Sequence, residues 1–299
     1  MSASHDNYGI VVDSGSSGSR IQIYKWQDPE YTQKNSKDTK QLNSVPEIIQ
    51  EESWTFKTTP GLSTFADNPN AVWDDHFKPL IKYAEKIIPE SKHSSTPIFI
   101  QATAGMRLVE ETKRNNVLDK VCSSLKKKSK FQIGDCSEHV QVIDGEVEGL
   151  YGWLGLNYLK GHLNNYDPKL PESEHTSFGF MDMGGASTQI AFVPSDPAEL
   201  KKHKEDLYSV KLRNVNGETQ DWSVFVSTWL GFGANQARKR HLRNLILALP
   251  EGVNYDQDGD GDYDLIDPCA PRGMIIEQEH DGINYEITGS GDYKTFCRC

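Results

Sequence analysis

VVDSGSSGSRIQIY at residues 11–24 and FMDMGGASTQIAF at residues 180–192 decide the fold of this 299-residue chain. Each is an apolar strand closing on an aspartate, one further residue, a turn of small residues, and an outgoing strand of alternating character. A design that occurs twice at wide separation is an internal repeat. It points to a duplicated sheet carrying two facing hairpin turns.

The surroundings of the first copy extend the pattern. Residues 8–13 and 20–26 read as strands, and residues 54–57 as a third. Residues 70–88 place Val72, Trp73, Phe77, Leu80, Ile81, Ala84 and Ile88 at helical spacing. Strand 97–101, helix 109–127, strand 140–143 and helix 145–160 follow, while the polar residues 27–43 read as a surface connection. The order β-β-β-α-β-α-β-α predicts an α/β sheet covered on both faces. Around the second copy, residues 178–182, 188–192, 209–215 and 221–227 read as strands, and residues 233–249 as a basic amphipathic helix. After Pro250 the rhythm is lost, so the second lobe is expected to stop early.

With 36% hydrophobic and 25% charged residues the chain can bury a core and is not of the disordered class. Its formal net charge of −11 excludes the basic stripe of a nucleic-acid binder. The runs Lys126 to Lys128 and Arg238 to Arg243 read as solvated helix faces. A polyphosphate ligand would be repelled by the protein as a whole and attracted only locally, by backbone N–H groups, helix N-termini or bound cations. No apolar run reaches the roughly 18 residues that span a bilayer, and no targeting segment is visible. Among five cysteines, Cys122 and Cys136 flank a basic loop and are placed to pair, and Cys269 is placed to reach Cys297 or Cys299. This favours luminal disulfides over reduced thiols.

Both turns suit phosphate. Glycines allow the backbone to approach an anion, successive N–H groups form a nest, and serine hydroxyls add donors. In the first turn the candidates are Ser14, Gly15, Ser16, Ser17 and Gly18; in the second, Gly184, Gly185, Ala186 and Ser187. Asp13 and Asp182, at strand ends, suit a hard cation held directly or through its waters. ATAGMR, residues 102–107, puts small residues at a strand's C-terminal end, where open α/β sheets bind ligands. There Thr103 could donate to phosphate, and Arg107 could pair with either a phosphate or a carboxylate. Asp144 is a good N-cap for the helix that follows. Glu146 and Glu148 stand about 200° apart on that helix and cannot both face one cleft. Glu148, with Gly149 and Gly152 leaving room beside it, is the candidate general base. Tyr151 and Trp153 read as core.

DSGSSGSR, ATAGMR, GEVEGLYGWLGLNYL and DMGGASTQI, in this order, resemble four signature regions of the apyrase family of ectonucleotidases and Golgi and endoplasmic-reticulum nucleoside diphosphatases. The likeness covers residues 8–245 and is strongest to the fungal Golgi members. It implies two actin-like (ribonuclease-H-like) lobes with a nucleotide cleft between them: residues 1–165, and residues 176–299 as the start of a second, incomplete lobe. It implies hydrolysis of the terminal phosphate of nucleoside di- and triphosphates, dependent on Ca²⁺ or Mg²⁺. Glu148 matches the base, Ser187 with Gln189 matches the groups positioning the water, and Asp13 and Asp182 match the aspartates holding the cation's water shell. Ser16, Ser17, Gly18, Gly184, Gly185, Ala186 and Thr103 match the phosphate-binding positions. The resemblance also implies a Golgi lumenal location with any membrane anchor outside this chain. The family's fifth signature region is missing. Another actin-like phosphotransferase, an exopolyphosphatase, or a non-catalytic nucleotide-binding fragment would share many of these features. Separately, residues 256–267 (DQDGDGDYDLID) mimic a calcium loop, but Asp replaces Glu at its last position and Pro268 follows, so an acidic surface loop is expected.

Overall fold

The computed structural model describes residues 5–164, 166–171, 174–250, 255–256, 259 and 261–292. Two compact units divide the chain, Met1–Ala234 and Asn235–Cys299.

The first unit contains both copies of the repeat. Strands β1 (Asp6–Ser14) and β2 (Ser19–Gln27) form an antiparallel hairpin with Ser14 opposite Ser19. The short strands β3 (Ile48–Ile49) and β4 (Thr55–Thr58) pair with β2. On the other side β5 (Ile98–Ala102) runs parallel to β1, and β6 (Val140–Val142) parallel to β5. Ile10, Val12, Ile21, Ile23, Ile98 and Ile100 are fully buried and share one core. Residues 27–43 are not a bare connection. Helix α1 (Pro29–Asn35) starts where the Asp28 carboxylate caps Glu30 and Tyr31 and Pro29 presets the first turn, and a single turn, α2 (Thr39–Leu42), follows.

The helix expected over residues 70–88 is composite. A 3₁₀ turn, Pro69–Ala71, leads to a π turn, Trp73–Phe77, and then to α3 (Lys78–Ile87). Pro79 offers no N–H and its ring crowds the carbonyl four residues back. The turn before it widens, and Lys78 N–H reaches the Trp73 carbonyl. Next come the short α4 (Ala104–Arg107), α5 (Glu111–Lys128), the single turn α6 (Cys136–His139) and α7 (Gly145–Leu159).

The second sheet has the order β7-β8-β10-β9, built from β7 (Phe180–Met183), β8 (Ser187–Phe192), β9 (Leu207–Arg213) and β10 (Thr219–Leu230). Helix α8 (Pro197–Lys202) lies in the β8–β9 connection. Although α7 follows β6 of the first sheet, it packs on the second: Trp153 meets Trp222 edge to face, both almost wholly buried. Tyr151, expected in the core, is exposed.

The second unit begins with α9 (Ala234–Leu247) and corrects the reading of the C-terminal region. Beyond Pro250 lies a three-stranded sheet, β11 (Tyr263–Asp267), β12 (Ile275–His280) and β13 (Ile283–Gly289), in the order β11-β13-β12. Ile287, Tyr285 and Leu265 pack on Leu242 and Ile246. The acidic stretch therefore ends in a strand. Asp267 is fully buried and accepts hydrogen bonds from Arg238 (2.7 Å), His241 (2.8 Å) and Cys269 N–H (2.8 Å). Burial alone would raise its pKa; the bonds from His241 and Cys269 and the charge of Arg238 hold it below the usual carboxylate value. That carboxylate is committed to a structural network rather than to a calcium loop. Residues 257, 258 and 260 of the stretch lie outside the described residues, as do Cys297 and Cys299. No helix among the described residues is long and apolar enough to cross a membrane.

Cys122 and Cys136 are joined in a disulfide closing a 14-residue separation. Such a loop constrains the unfolded chain by about 3 kcal/mol. Replacing both with serine should lower unfolding stability by roughly 2–4 kcal/mol in a denaturant titration without reductant; an unchanged midpoint would refute the estimate.

Candidate active site

The two turns match residue for residue. In the first, Gly15 N–H donates to the Gly18 carbonyl at 2.9 Å; in the second, Gly184 N–H donates to the Ser187 carbonyl at 3.0 Å. Asp13 faces Arg20 across β1–β2, and Asp182 faces Gln189 across β7–β8. Ser16 and Ser17 lie in the open part of the first turn, Gly184 and Gly185 in that of the second, with Ala186 buried beneath. Strand alternation turns the Ser14 side chain inward with Ile10 and Val12, away from Asp13. Its hydroxyl is buried against Ser19, so the first turn can meet a ligand at Ser14 only through the backbone. Thr103 N–H donates to the Ser14 carbonyl at 3.2 Å, which sets β5's end beside the turn. Gly105 then comes so close that a Cβ there would lie 2.8 Å from Ser16 Cα.

Glu148 projects from the first turn of α7 toward the second sheet. That helix starts close to β10: a Cβ on Gly145 would overlap the Thr228 side chain. Glu146 is directed elsewhere, near Tyr208, so one glutamate of the pair faces the site, as the helical spacing requires. Arg107, at the end of α4, settles its alternative in favour of a carboxylate. Its Nη2 donates to Glu148 Oε2 at 2.7 Å and to Ser187 Oγ at 3.0 Å, while Nη1 donates to the Ile143 carbonyl at 3.1 Å. Gln189 Nε2 donates its two hydrogens to Ser187 Oγ at 2.7 Å and Thr228 Oγ1 at 3.2 Å, and lies 3.4 Å from Glu148 Oε2. Thr228 was not a candidate in the sequence, where it is one polar residue in a long strand.

The hydrogen-bond inventory leaves defined groups over. Ser187 Oγ accepts from both Arg107 and Gln189, which fills its lone pairs and leaves its own O–H to donate. Gln189 Oε1 is buried without a protein partner. Glu148 can accept further. Ser187 O–H, Gln189 Oε1, Arg107 Nε and the remaining lone pairs of Glu148 are thus left over within one hydrogen-bonded cluster, capacity of the kind that a water molecule satisfies.

The electrostatics are strained. Desolvation raises the Glu148 pKa first; Arg107 lowers it by charge and hydrogen bond, and Asp13 and Asp182 raise it again. Asp13 is raised by desolvation, lowered by Arg20 and raised by Asp182, even though its side chain is accessible. The carboxylates of the two turns therefore sense each other. Their all-oxygen donor set suits a hard divalent cation, which would relieve that repulsion.

The family comparison agrees with this geometry. The GDA1/CD39 (nucleoside phosphatase) family model matches residues 1–299.

The chain belongs to the GDA1/CD39 nucleoside phosphatase family.

It is 55% identical over 278 residues to a Golgi apyrase of Saccharomyces cerevisiae, covering 92% of this chain and 44% of that protein. It is 41% identical over 271 residues to a Golgi apyrase of Schizosaccharomyces pombe, covering 90% and 44%. To human ectonucleoside triphosphate diphosphohydrolase 7 it is 33% identical over 300 residues, covering 91% and 47%. The chain thus spans less than half the length of these relatives. A crystal structure of nucleoside triphosphate hydrolases from Neospora caninum superposes with a TM-score of 0.57 at 18% identity, over 91% of this chain and 52% of that one. That likeness is one of fold.

A carboxyl group whose pKa is raised in the folded state favours folding fully only at low pH, and that contribution is lost as pH rises through the folded value. Ionised Glu148 therefore costs stability at neutral pH. Through this group the parent should lose stability as pH rises above about 4, near the ordinary glutamate value, and Glu148→Gln should lose less over the same range; calorimetry showing the same pH dependence of melting in parent and variant would contradict the assignment of strain.

Proposed function

We propose that this chain carries the catalytic machinery for divalent-cation-dependent hydrolysis of the terminal phosphate of nucleoside tri- and diphosphates, by direct attack of water. The observation that carries the reading is the unspent hydrogen-bond capacity of Glu148, Ser187 and Gln189, held together by Arg107 beside two matched phosphate-type turns. Family membership and the names of the relatives, apyrases and a nucleoside triphosphate diphosphohydrolase, support the substrate class.

The backbone N–H groups of residues 15–18 and 184–187, with the hydroxyls of Ser16, Ser17 and Thr103, bind the phosphate oxygens. Ser187 donates to the attacking water, and Gln189 Oε1 accepts one of its hydrogens. Glu148 accepts the other and removes it as the new oxygen–phosphorus bond forms and the bond from phosphorus to the bridging oxygen breaks, the shortened nucleotide leaving with that electron pair. The proton resides on Glu148 Oε until product leaves. Arg107 fixes the carboxylate's direction and favours its ionised form between turnovers. Asp13 and Asp182 would hold a Ca²⁺ or Mg²⁺ ion through its waters; bound there, the ion offsets charge on the phosphates, which an acidic protein cannot otherwise do. The two Golgi apyrases support a Golgi lumenal site of action.

Phosphate release from a panel of nucleoside di- and triphosphates should require Ca²⁺ or Mg²⁺ and stop in EDTA. Glu148→Gln should lower kcat by roughly 10²–10⁴-fold while nucleotide affinity changes little. Turnover that survives either EDTA or the substitution would refute the mechanism.

A further inference from the structure

Below the first turn lies a buried polar chain that the reaction does not use. His76 sits in the π turn ahead of α3, fully buried, with its ring against Phe65 and Phe77. Its Nε2 lies 2.6 Å from Ser19 Oγ and, more distantly, 3.5 Å from Thr58 Oγ1, and Ser19 Oγ donates to Ser14 Oγ at 2.9 Å. Ser14 and Ser19 are the cross-strand pair on which the Gly15–Gly18 turn stands. All three side chains are inaccessible to solvent.

The direction of this chain follows from counting hydrogens. Ser19 has one hydroxyl hydrogen and spends it on Ser14, so it can only accept from the ring. His76 must then carry its hydrogen on Nε2, which leaves Nδ1 a bare acceptor. Nδ1 is indeed the buried ring atom without a partner. A lone pair tolerates that place better than a charged N–H would, and burial pushes the His76 pKa down to about 4. The ring is therefore neutral at physiological pH and acts as a one-way donor.

We propose that His76 is a positioning residue for phosphate binding: through Ser19 and Ser14 it locks the base of the first turn, so that the amides of residues 15–18 keep the spacing that receives phosphate. The inference rests on the phosphate-cradle reading above. Without the relay two buried hydroxyls lose their fixed directions, and the Ser14–Ser19 base of the hairpin is held less tightly. The turn then loses affinity without losing a contact group of its own.

The test separates a hydrogen-bond role from a packing role. Affinity for α,β-methylene ADP with Mg²⁺ is measured by calorimetry in the parent, His76→Phe, His76→Gln, Ser19→Ala and the His76→Phe/Ser19→Ala pair. Phenylalanine keeps the ring and loses the donor; glutamine keeps an N–H donor and loses the ring. The relay predicts that His76→Phe and Ser19→Ala each weaken binding about five- to tenfold, the scale of one lost hydrogen bond. The double variant should be no weaker than either single one, and His76→Gln should stay within about twofold of the parent by the same scale. Parent-like binding by His76→Phe with loss in His76→Gln, or losses that add in the double variant, would overturn the proposal. Ser19→Ala, a small change in a buried hairpin, carries the test if a His76 variant fails to fold. A parent chain that binds no nucleotide would instead remove the cradle reading, and this inference with it.

Discussion

The guanidinium of Arg107 is the fixed point of the site. It reaches from the end of the first sheet's α4, is anchored on the Ile143 carbonyl just before α7, and grips Glu148 of α7 and Ser187 of β8 with one nitrogen. Three elements distant in sequence are thereby held within a few ångströms. A planar cation with several donors in a rigid fork is suited to this; a lysine would supply a point charge without fixing three directions. The same contact decides the chemistry available. It sets a positive charge beside a partly desolvated glutamate, and together with Gln189 it fills a serine's lone pairs so that the hydroxyl can only donate.

Around that contact the fold repeats one device with different side chains. Both hairpins close with the same backbone hydrogen bond and place an aspartate before the turn. Opposite Asp13 stands the exposed Arg20; opposite Asp182 stands the buried Gln189. The first copy thus serves charge balance at the surface, and the second contributes directly to the hydrogen-bonded cluster of Glu148, Ser187 and Gln189. Helix α7 joins the two copies, since it leaves the first sheet and packs on the second through Trp153 and Trp222. An acidic chain can therefore offer a local site for a polyphosphate, provided that a cation is shared between the two aspartates.

Much of this was legible in the sequence, because strand alternation and helical spacing are local. The sheet strands, α5, α7 and α9 follow from periods of 2 and 3.6, which also put Glu146 and Glu148 on different faces; the glycines beside Glu148 then made it the candidate, and small residues marked the two turns. Turn composition made Ser14 a phosphate candidate, whereas the structure buries its side chain on the face of Ile10 and Val12. Other features depend on partners far along the chain. Thr228 lies 39 residues from Gln189, and His76 lies 57 from Ser19; no local pattern announces either pairing. The π turn that carries His76 had a local cause in Pro79. The C-terminal sheet was missed because β12 reads IIEQEH, two isoleucines and then four polar residues, without the alternation that marks a half-buried strand. Asp267, read there as part of a cation-loop mimic, is instead the buried partner of Arg238 and His241.

The central claim is that Glu148, Ser187 and Gln189 hold one water in line with a terminal phosphate gripped by both turns. A crystal structure with a non-hydrolysable nucleoside triphosphate analogue and Mg²⁺ tests it most directly. The account predicts the terminal phosphate between residues 15–18 and 184–187, and one water about 3 Å from each of the three side chains. A phosphate bound away from either turn, or a nucleotide complex in which Glu148 touches no water facing the phosphorus, would contradict it.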